Sequence, residues 1–141
     1  MEIKLDEEAL KLIALFETLT RAEVRDCIAS EERVIFIVGE GQVRAAMGER
    51  GERLRRLRSL LKKNVEVIEW SGEPERFIRN IFHNFKVRGV RLERRAGRLT
   101  AVVQVDPDEK ARAIGKGGRN LHQAREILAR HFSDIDGLVV A

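Results

Sequence analysis

Apolar and polar residues alternate along this chain in a pattern that predicts the same order of elements twice. In the first half the order is helix, strand, strand, helix, helix, strand. The predicted elements are an opening helix capped by Asp6, strands over residues 22–29 and 34–38 around a turn at 30–33, helices over 42–47 and 52–63, and a strand over 65–70. The residues expected on the inner faces of the opening helix and the long helix are Leu10, Ile13, Phe16, Leu54, Leu57, Leu60 and Leu61.

The second half of the chain repeats this order. Its predicted elements are a helix over residues 75–84, a hairpin over 87–105 that turns at 95–98, a short helix opened by Pro107 and a long helix over 119–131. Between the halves lie only Ser71–Pro74, where glycine permits a turn and proline sets the first helical dihedral. We therefore predict two domains, residues 1–70 and 75–141, with a linker of residues 71–74. The expected fold class is α+β, an α/β sandwich in which each domain has a three-stranded sheet with helices packed on one face.

The two halves also match in sequence. Gly115 lies 67 residues after Gly48, and a slide by this distance places residues 46–54 on residues 113–121. The match extends without a gap in both directions, and its outlying pairs are Val34–Val38 over Ala101–Val105 and Ile68 over Ile135. An internal duplication of this length predicts two homologous modules.

Positive charge is unevenly distributed along the chain. The net charge of +4 divides into −1 for residues 1–70, with 13 Lys+Arg against 14 Asp+Glu, and +5 for residues 71–141, with 14 against 9. Residues 52–63 carry six cations and one acid, and 20 of the 27 cations in the chain are arginine, whose planar fork suits phosphate. A solvated helix face is the ordinary interpretation of such a run. The scarcity of acids makes a polyanionic partner an equal alternative.

A glycine loop recurs between two helical segments of each half, as Gly48-Glu49-Arg50-Gly51 and as Gly115-Lys116-Gly117-Gly118. One interpretation is that these glycines only end the short helices in a left-handed conformation. The other is that they let an anion approach the backbone at a helix N-terminus, where amide donors and the helix dipole favour it. Two copies at the same place favour the second interpretation, with a nucleic-acid backbone as the anion. Nucleotide-binding glycine patterns do not match, because Lys110 and Asn120 occupy positions where those patterns require glycine.

The duplicated order, with a Gly-x-x-Gly loop between two helices and an apolar residue ahead of it (Met47, Ile114), resembles the KH domain in its type II arrangement. Two such domains joined through residues 70–77 further resemble the tandem KH part of the transcription factor NusA, over nearly the whole chain. Bacterial members carry additional domains for which 141 residues leave no room, so the chain is similar to the short archaeal NusA-like factors. The resemblance implies two tandem type II KH domains that bind single-stranded RNA, each loop clamping about four nucleotides beside an apolar groove.

The resemblance also implies which residues approach the sugar-phosphate chain. The implied RNA-binding residues are Gly48, Glu49, Arg50, Gly51, Arg53, Ile114, Gly115, Lys116, Gly117, Gly118 and Arg119. Lys116 and Arg119 would neutralise phosphates, while Ile114 and Met47 would form the groove floor or, alternatively, belong to the cores. Glu49 departs from the pattern because an acid in the loop repels phosphate. We therefore expect the second domain to contribute more of the affinity.

By this resemblance the chain is a non-enzymatic RNA-binding transcription factor that acts on nascent RNA in elongation, termination or antitermination, with RNA polymerase as a further candidate partner. The alternative is a KH-fold protein-interaction module of a polymerase or ribosome-associated complex with little RNA affinity of its own, which Glu49 and the acidic first helix favour. No cofactor or metal site is expected, since the three histidines lack zinc-helix spacing and the single Cys27 suits a small buried position. The absence of a long apolar run or a signal peptide predicts a cytoplasmic protein without a membrane partner.

Overall fold

The computed structural model describes residues 5–141 of the chain. The described chain divides into two compact units, one ending at Ser71 and the other running from Gly72 to Ala141. Each unit contains one three-stranded sheet and three α-helices, in the order predicted from the sequence. This architecture confirms the α+β prediction. None of the helices in residues 5–141 combines the length and the apolar character that crossing a membrane requires.

The first unit contains α1 (Glu7–Thr20), β1 (Val24–Ala29), β2 (Arg33–Val38), α2 (Val43–Met47), α3 (Glu52–Leu61) and β3 (Asn64–Glu69). Its strands lie in the order β1-β2-β3, with β1 antiparallel to β2 and β3 parallel to β2. A parallel pair of strands needs a long crossover connection, and α2 and α3 provide it. The glycine loop between α2 and α3 therefore belongs to the crossover and lies outside the sheet.

Helix α1 begins where the sequence predicts. The Oδ1 atom of Asp6 accepts a hydrogen bond from the backbone N–H of Ala9 at 2.7 Å, which caps the first turn. The buried residues of the helix follow a helical spacing and are Ala9, Ile13, Phe16 and Thr20. The expectation for Leu10 is wrong, since 54% of this residue is exposed. The buried stripe passes through Ala9, one residue earlier.

The core of the first unit lies between the helices and one face of the sheet. Phe16 of α1 stacks on Phe36 of β2 with ring centroids 4.1 Å apart. Leu57 of α3 is fully buried in the same cluster. Leu60 was expected on this inner face but is 55% exposed, because Leu61 packs against the core in the last turn instead. The core thus fixes α3, and with it the end of the glycine loop, on the sheet.

The second unit contains α4 (Pro74–Ile81), β4 (Val87–Arg95), β5 (Arg98–Val105), α5 (Lys110–Ile114), α6 (Arg119–His131) and β6 (Gly137–Val140). Its strands lie in the order β4-β5-β6, again with one antiparallel and one parallel pair. The hairpin turns at Ala96 and Gly97, both with positive φ, as the glycine in this stretch predicts. A 3₁₀ turn over Pro107–Glu109 precedes α5.

The gapless match between the halves fails after the long helix. In the first sheet Val34 pairs with Val65, and in the second sheet the corresponding Ala101 pairs with Leu138. Leu138 lies 73 residues after Val65, six more than the 67-residue repeat. The pairing of Ile68 with Ile135 is therefore wrong, because a longer α6 and the connection after it insert six residues ahead of β6.

Candidate nucleic-acid interface

The two glycine loops have nearly the same backbone conformation. The first glycine has φ/ψ of 73°/−179° at Gly48 and 81°/164° at Gly115. The third and fourth residues of both loops have positive φ, and these residues are Arg50, Gly51, Gly117 and Gly118. The N–H of the last glycine donates to the carbonyl of the first at 3.3 Å in the first unit and 3.0 Å in the second. Each loop is therefore a closed turn of defined shape.

The first glycine of each loop faces atoms of its own chain. A Cβ atom on Gly48 would lie 2.7 Å from Cγ of Arg53, and one on Gly115 would lie 2.8 Å from the backbone nitrogen of Asn120. Both distances are too short for any side chain. The first glycine is therefore required where the short helix turns into the long one, and the space beside it is already filled.

The end of each loop is open. A Cβ atom on Gly117 or Gly118 would meet nothing within 4 Å, and one on Gly51 would meet only the flexible end of Arg55, at 3.6 Å. In the described chain no side chain caps the first turn of α3 or α6. The positive end of each helix dipole therefore lies beside backbone that a ligand can approach.

The residue two places after the loop ties the corner together in both units. In the second unit Nδ2 of Asn120 donates to the carbonyl of Ala113 at 2.7 Å. At the matching position of the first unit, Nη1 of Arg53 donates to the carbonyl of Ala45 at 2.8 Å and to that of Thr20 at 3.2 Å. Arg53, predicted as an RNA-binding residue, thus uses part of its guanidinium to hold the end of α1 and the end of α2.

The two loops differ in the charges they present. In the second loop Lys116 and Arg119 are exposed, and Lys116 has no ion-pair partner among residues 5–141. In the first loop the exposed Glu49 and Arg50 have opposite charges, and the carbonyl of Arg50 accepts a hydrogen bond from Arg55. An anion thus meets two cations at the second loop and a mixed pair at the first.

The apolar residues ahead of the loops are only partly exposed. Met47 is half-buried and packs against the core of the first unit, and Ile114 is half-buried at the corresponding position. Each contributes to its unit while leaving part of its side chain accessible beside the loop. Both of the roles considered for them therefore remain compatible with their positions.

A groove of about 380 Å³ lies beside the second half of α6. Leu128 and Ala129 form its helix side, and Leu138 and Val139 of β6 form its strand side. The sequence did not predict these residues as part of a site, because the six-residue insertion hides which strand residues face the helix. The groove continues along the helix that the second loop opens.

Two arginines of the predicted basic surface instead hold the edge strands. Arg58 donates through Nη2 to the carbonyl of Val65 at 3.0 Å, and Arg125 donates through Nε to the carbonyl of Leu138 at 2.9 Å. Arg125 lies 67 residues after Arg58, so the duplication preserves this contact. The spacing was the one available signal that Arg58 is a structural residue.

The described residues contain no cluster of His, Cys, Asp and Glu that could hold a metal ion. Cys27 is buried in the core of the first unit, as expected. His131 packs edge-on against Phe77 with ring centroids 5.3 Å apart. His131 thus contributes to the packing of the second unit.

Comparison with known proteins identifies the family. The family model described as the KH domain matches residues 12–71, and the one described as the NusA-like second KH domain matches residues 74–133. A probable transcription termination protein NusA from Methanocaldococcus jannaschii is 35% identical over 130 residues, which cover 92% of this chain and 71% of that protein. The chain belongs to the NusA family. A NusA of the same description from Halobacterium salinarum is 36% identical over 138 residues, 98% of each chain.

Further matches agree with membership of the NusA family. The crystal structure of APE1850 matches 97% of this chain and 100% of its own with a TM-score of 0.77 and 35% identity. The transcription termination/antitermination protein NusA of Thermus thermophilus is 32% identical over 95 residues, which cover 65% of this chain and 24% of that longer protein. These findings confirm the resemblance to archaeal NusA-like factors with tandem KH domains.

Proposed function

We propose that this NusA-family chain is a non-enzymatic transcription factor that binds single-stranded, nascent RNA through its two glycine loops. In this role it influences elongation, termination or antitermination in the cytoplasm, with RNA polymerase as the partner complex. The observation that carries the proposal is the second loop. Its open backbone at Gly117 and Gly118 lies between two exposed cations, Lys116 and Arg119, at the start of a 13-residue helix.

The chemistry of the second loop suits a phosphate. A phosphate oxygen accepts hydrogen bonds from backbone N–H groups at a helix N-terminus, and the helix dipole adds a favourable field. Lys116 and Arg119 supply charge on either side of the open glycines, and charge-assisted hydrogen bonds are about twice as strong as neutral ones. A side chain at Gly117 or Gly118 would stand between the strand and the backbone. The loop therefore supports contact with an RNA backbone rather than recognition of a base.

The first loop supports a weaker contact. It shares the backbone shape of the second loop, but Glu49 takes the place of Lys116 and Arg53 is partly engaged by carbonyls of its own unit. An approaching phosphate is repelled by Glu49 and attracted by Arg50. The affinity of the chain for a short RNA accordingly comes mainly from the second loop.

The test compares the wild type with a Lys116→Asp, Gly117→Asp double variant on a single-stranded RNA of about six nucleotides, slightly longer than one loop clamps. The variant replaces a cation by an acid and puts a second acid on the open backbone. Aspartate tolerates the left-handed conformation of Gly117 better than most residues, so the fold is retained. We expect affinity to fall at least about tenfold, and wild-type binding to weaken with salt because phosphate contacts release counterions.

A matched control is available in the hairpin turn of the second unit. Gly97 also has a positive φ, with nothing within 4 Å of a Cβ atom, and Arg98 follows it. The Gly97→Asp, Arg98→Asp variant therefore makes the same change in charge and in backbone strain as the loop variant. We expect it to bind the short RNA like the wild type. Equal affinity of the loop variant and the control, or wild-type binding that ignores salt, would contradict the proposal and favour the protein-interaction module.

A further inference from the structure

The second sheet carries arginines on the face opposite its buried core. Side chains alternate along a strand, so the partners of the buried Ala101 and Val103 lie on one side of β5 and their neighbours lie on the other. The strand register places one set of residues together on that other side, which we call the arginine face: Arg91, Arg95, Arg98, Thr100, Val102 and Val139. Glu93 lies among them, opposite Thr100.

The arginine face is concave and accessible. A depression of about 290 Å³ opens there, with Val102 at its base and Arg91 and Arg95 among its lining residues. The side chains of Arg91 and Arg95 are 55% and 78% exposed, and Val139 is 41% exposed. A chain-like ligand could therefore lie across the strands while touching both charged and apolar groups.

Positive charge dominates this face. Residues 88–98 contain five arginines and one acid, Glu93. Arg91 and Arg95 donate to the two oxygens of Glu93, at 2.5 and 2.8 Å. The hydrogen bond from Arg91 lowers the pKa of Glu93, and the charges of both arginines lower it further against a small opposing effect of desolvation. The ionised carboxylate orients two guanidinium groups that keep further donors for a ligand, since each has five.

The duplicated fold does not require these arginines. In the first sheet the residues matching Val102 and Gln104 are Ile35 and Ile37, both fully buried. The second sheet has an exposed glutamine at one of these positions and adds charged residues in the longer strand β4. The arginine face is therefore a property of the second unit alone.

We propose that the arginine face is a second RNA contact, which binds the sugar-phosphate backbone of a segment outside the nucleotides held by the loops. This inference rests on the proposed function, because it takes RNA as the ligand. Guanidinium forks match phosphate geometry, and their planes also stack on unpaired bases. The exposed apolar area is small and the charge is central, whereas the cores of protein–protein interfaces are depleted of charge. The composition thus favours a polyanion over a protein partner.

The test uses two RNAs of uniform sequence, one of about six nucleotides and one of about 20, so that only the longer one extends past a loop. The variant is Arg91→Gln with Arg95→Gln. Its matched control is Arg76→Gln with Arg79→Gln, which removes two exposed arginines from α4 of the same unit. We expect the arginine-face variant to bind the short RNA like the wild type and the long RNA at least about fivefold more weakly. The slope of log affinity against log salt should fall by about 1.4, for two phosphates at about 0.7 each.

Short-RNA binding also reports that the variant is folded. If removal of both partners of Glu93 disturbs the unit, Arg98→Gln replaces it, since Arg98 has no ion pair among residues 5–141 and should lose part of the long-RNA affinity. Long-RNA binding equal to the control would overturn the inference, as would loss of polymerase binding alone. The Lys116→Asp, Gly117→Asp variant tests the loop separately on the short RNA. A failure of the loop and a failure of the arginine face are therefore distinguishable.

Discussion

At the scale of single residues, the two end glycines of each loop have different roles. Gly115 lies against the backbone nitrogen of Asn120, while Gly118 faces open space. Both have positive φ, 81° and 78°, so any side chain is strained at either position. The first glycine allows the chain to turn tightly on itself, and the last leaves the backbone accessible.

This difference predicts unequal costs for two alanine substitutions. Gly118→Ala should lower the free energy of unfolding by about 1–2 kcal/mol, the cost of a left-handed conformation. Gly115→Ala adds a clash with backbone that cannot move easily, and overpacking costs about another 1–3 kcal/mol. Chemical denaturation of the two variants and the wild type measures both costs. Equal destabilisation would show that the contact with Asn120 does not constrain the loop.

The sequence predicts that these positions are glycine for a backbone reason, but it does not tell the two roles apart. The approach of Asn120 to Gly115 depends on how α6 packs after the turn, which residue spacing does not encode. Leu10 shows the same limit, since an apolar residue beside a helical stripe can be exposed while Ala9 takes the inner position. Asp6 and its cap are predicted correctly because the interaction is local.

At the scale of elements, one helix–loop–helix unit occurs twice with the same backbone and different charges. The shared parts are the turn itself, the side chain that ties the corner at Arg53 or Asn120, and the arginine that holds the edge strand at Arg58 or Arg125. These contacts keep the shape of the corner. The residues between the glycines are free of that duty, so they can differ in charge.

Glu49→Lys should convert the first loop into a better phosphate site. The change replaces a repelling charge with the residue type found at the matching position, Lys116. In the Lys116→Asp, Gly117→Asp background, where the second loop is disabled, we expect Glu49→Lys to raise short-RNA affinity about three- to tenfold, the effect of a new charge-assisted contact. Titration by fluorescence anisotropy measures this change.

The control for that variant is Glu31→Lys in the turn between β1 and β2, an exposed position with the same change in charge. General attraction between a more basic protein and RNA would raise affinity in both variants equally. A gain specific to Glu49→Lys supports a contact at the first loop. No gain over the control would mean that the first loop does not meet RNA.

The order of elements follows from periodicity and turn residues, and the long helix over residues 119–131 matches its predicted bounds. The alignment of the last strands does not follow, because similarity between the halves ends inside the long helix. Six inserted residues shift β6 relative to β3, and only the pairing of Ala101 with Leu138 reveals the shift. The groove between α6 and β6 was missed for the same reason.

At the scale of the whole molecule, the chain consists of two similar units with one loop each and a net charge that lies in the second. The first unit places its arginines partly in structural hydrogen bonds, whereas the second exposes Lys116, Arg119 and the arginine face. This division predicts that RNA binding is led by the second unit. Membership of the NusA family is consistent with this arrangement and does not by itself specify it.

The central claim is that an RNA backbone approaches the open ends of the two glycine loops. The most direct test is a titration of isotope-labelled protein with a single-stranded RNA of about six nucleotides, followed by the backbone amide resonances. We expect residues 115–119 to shift at the lowest RNA concentrations and residues 48–51 to follow at higher ones. Shifts that leave both loops unchanged while RNA binds elsewhere would contradict the claim.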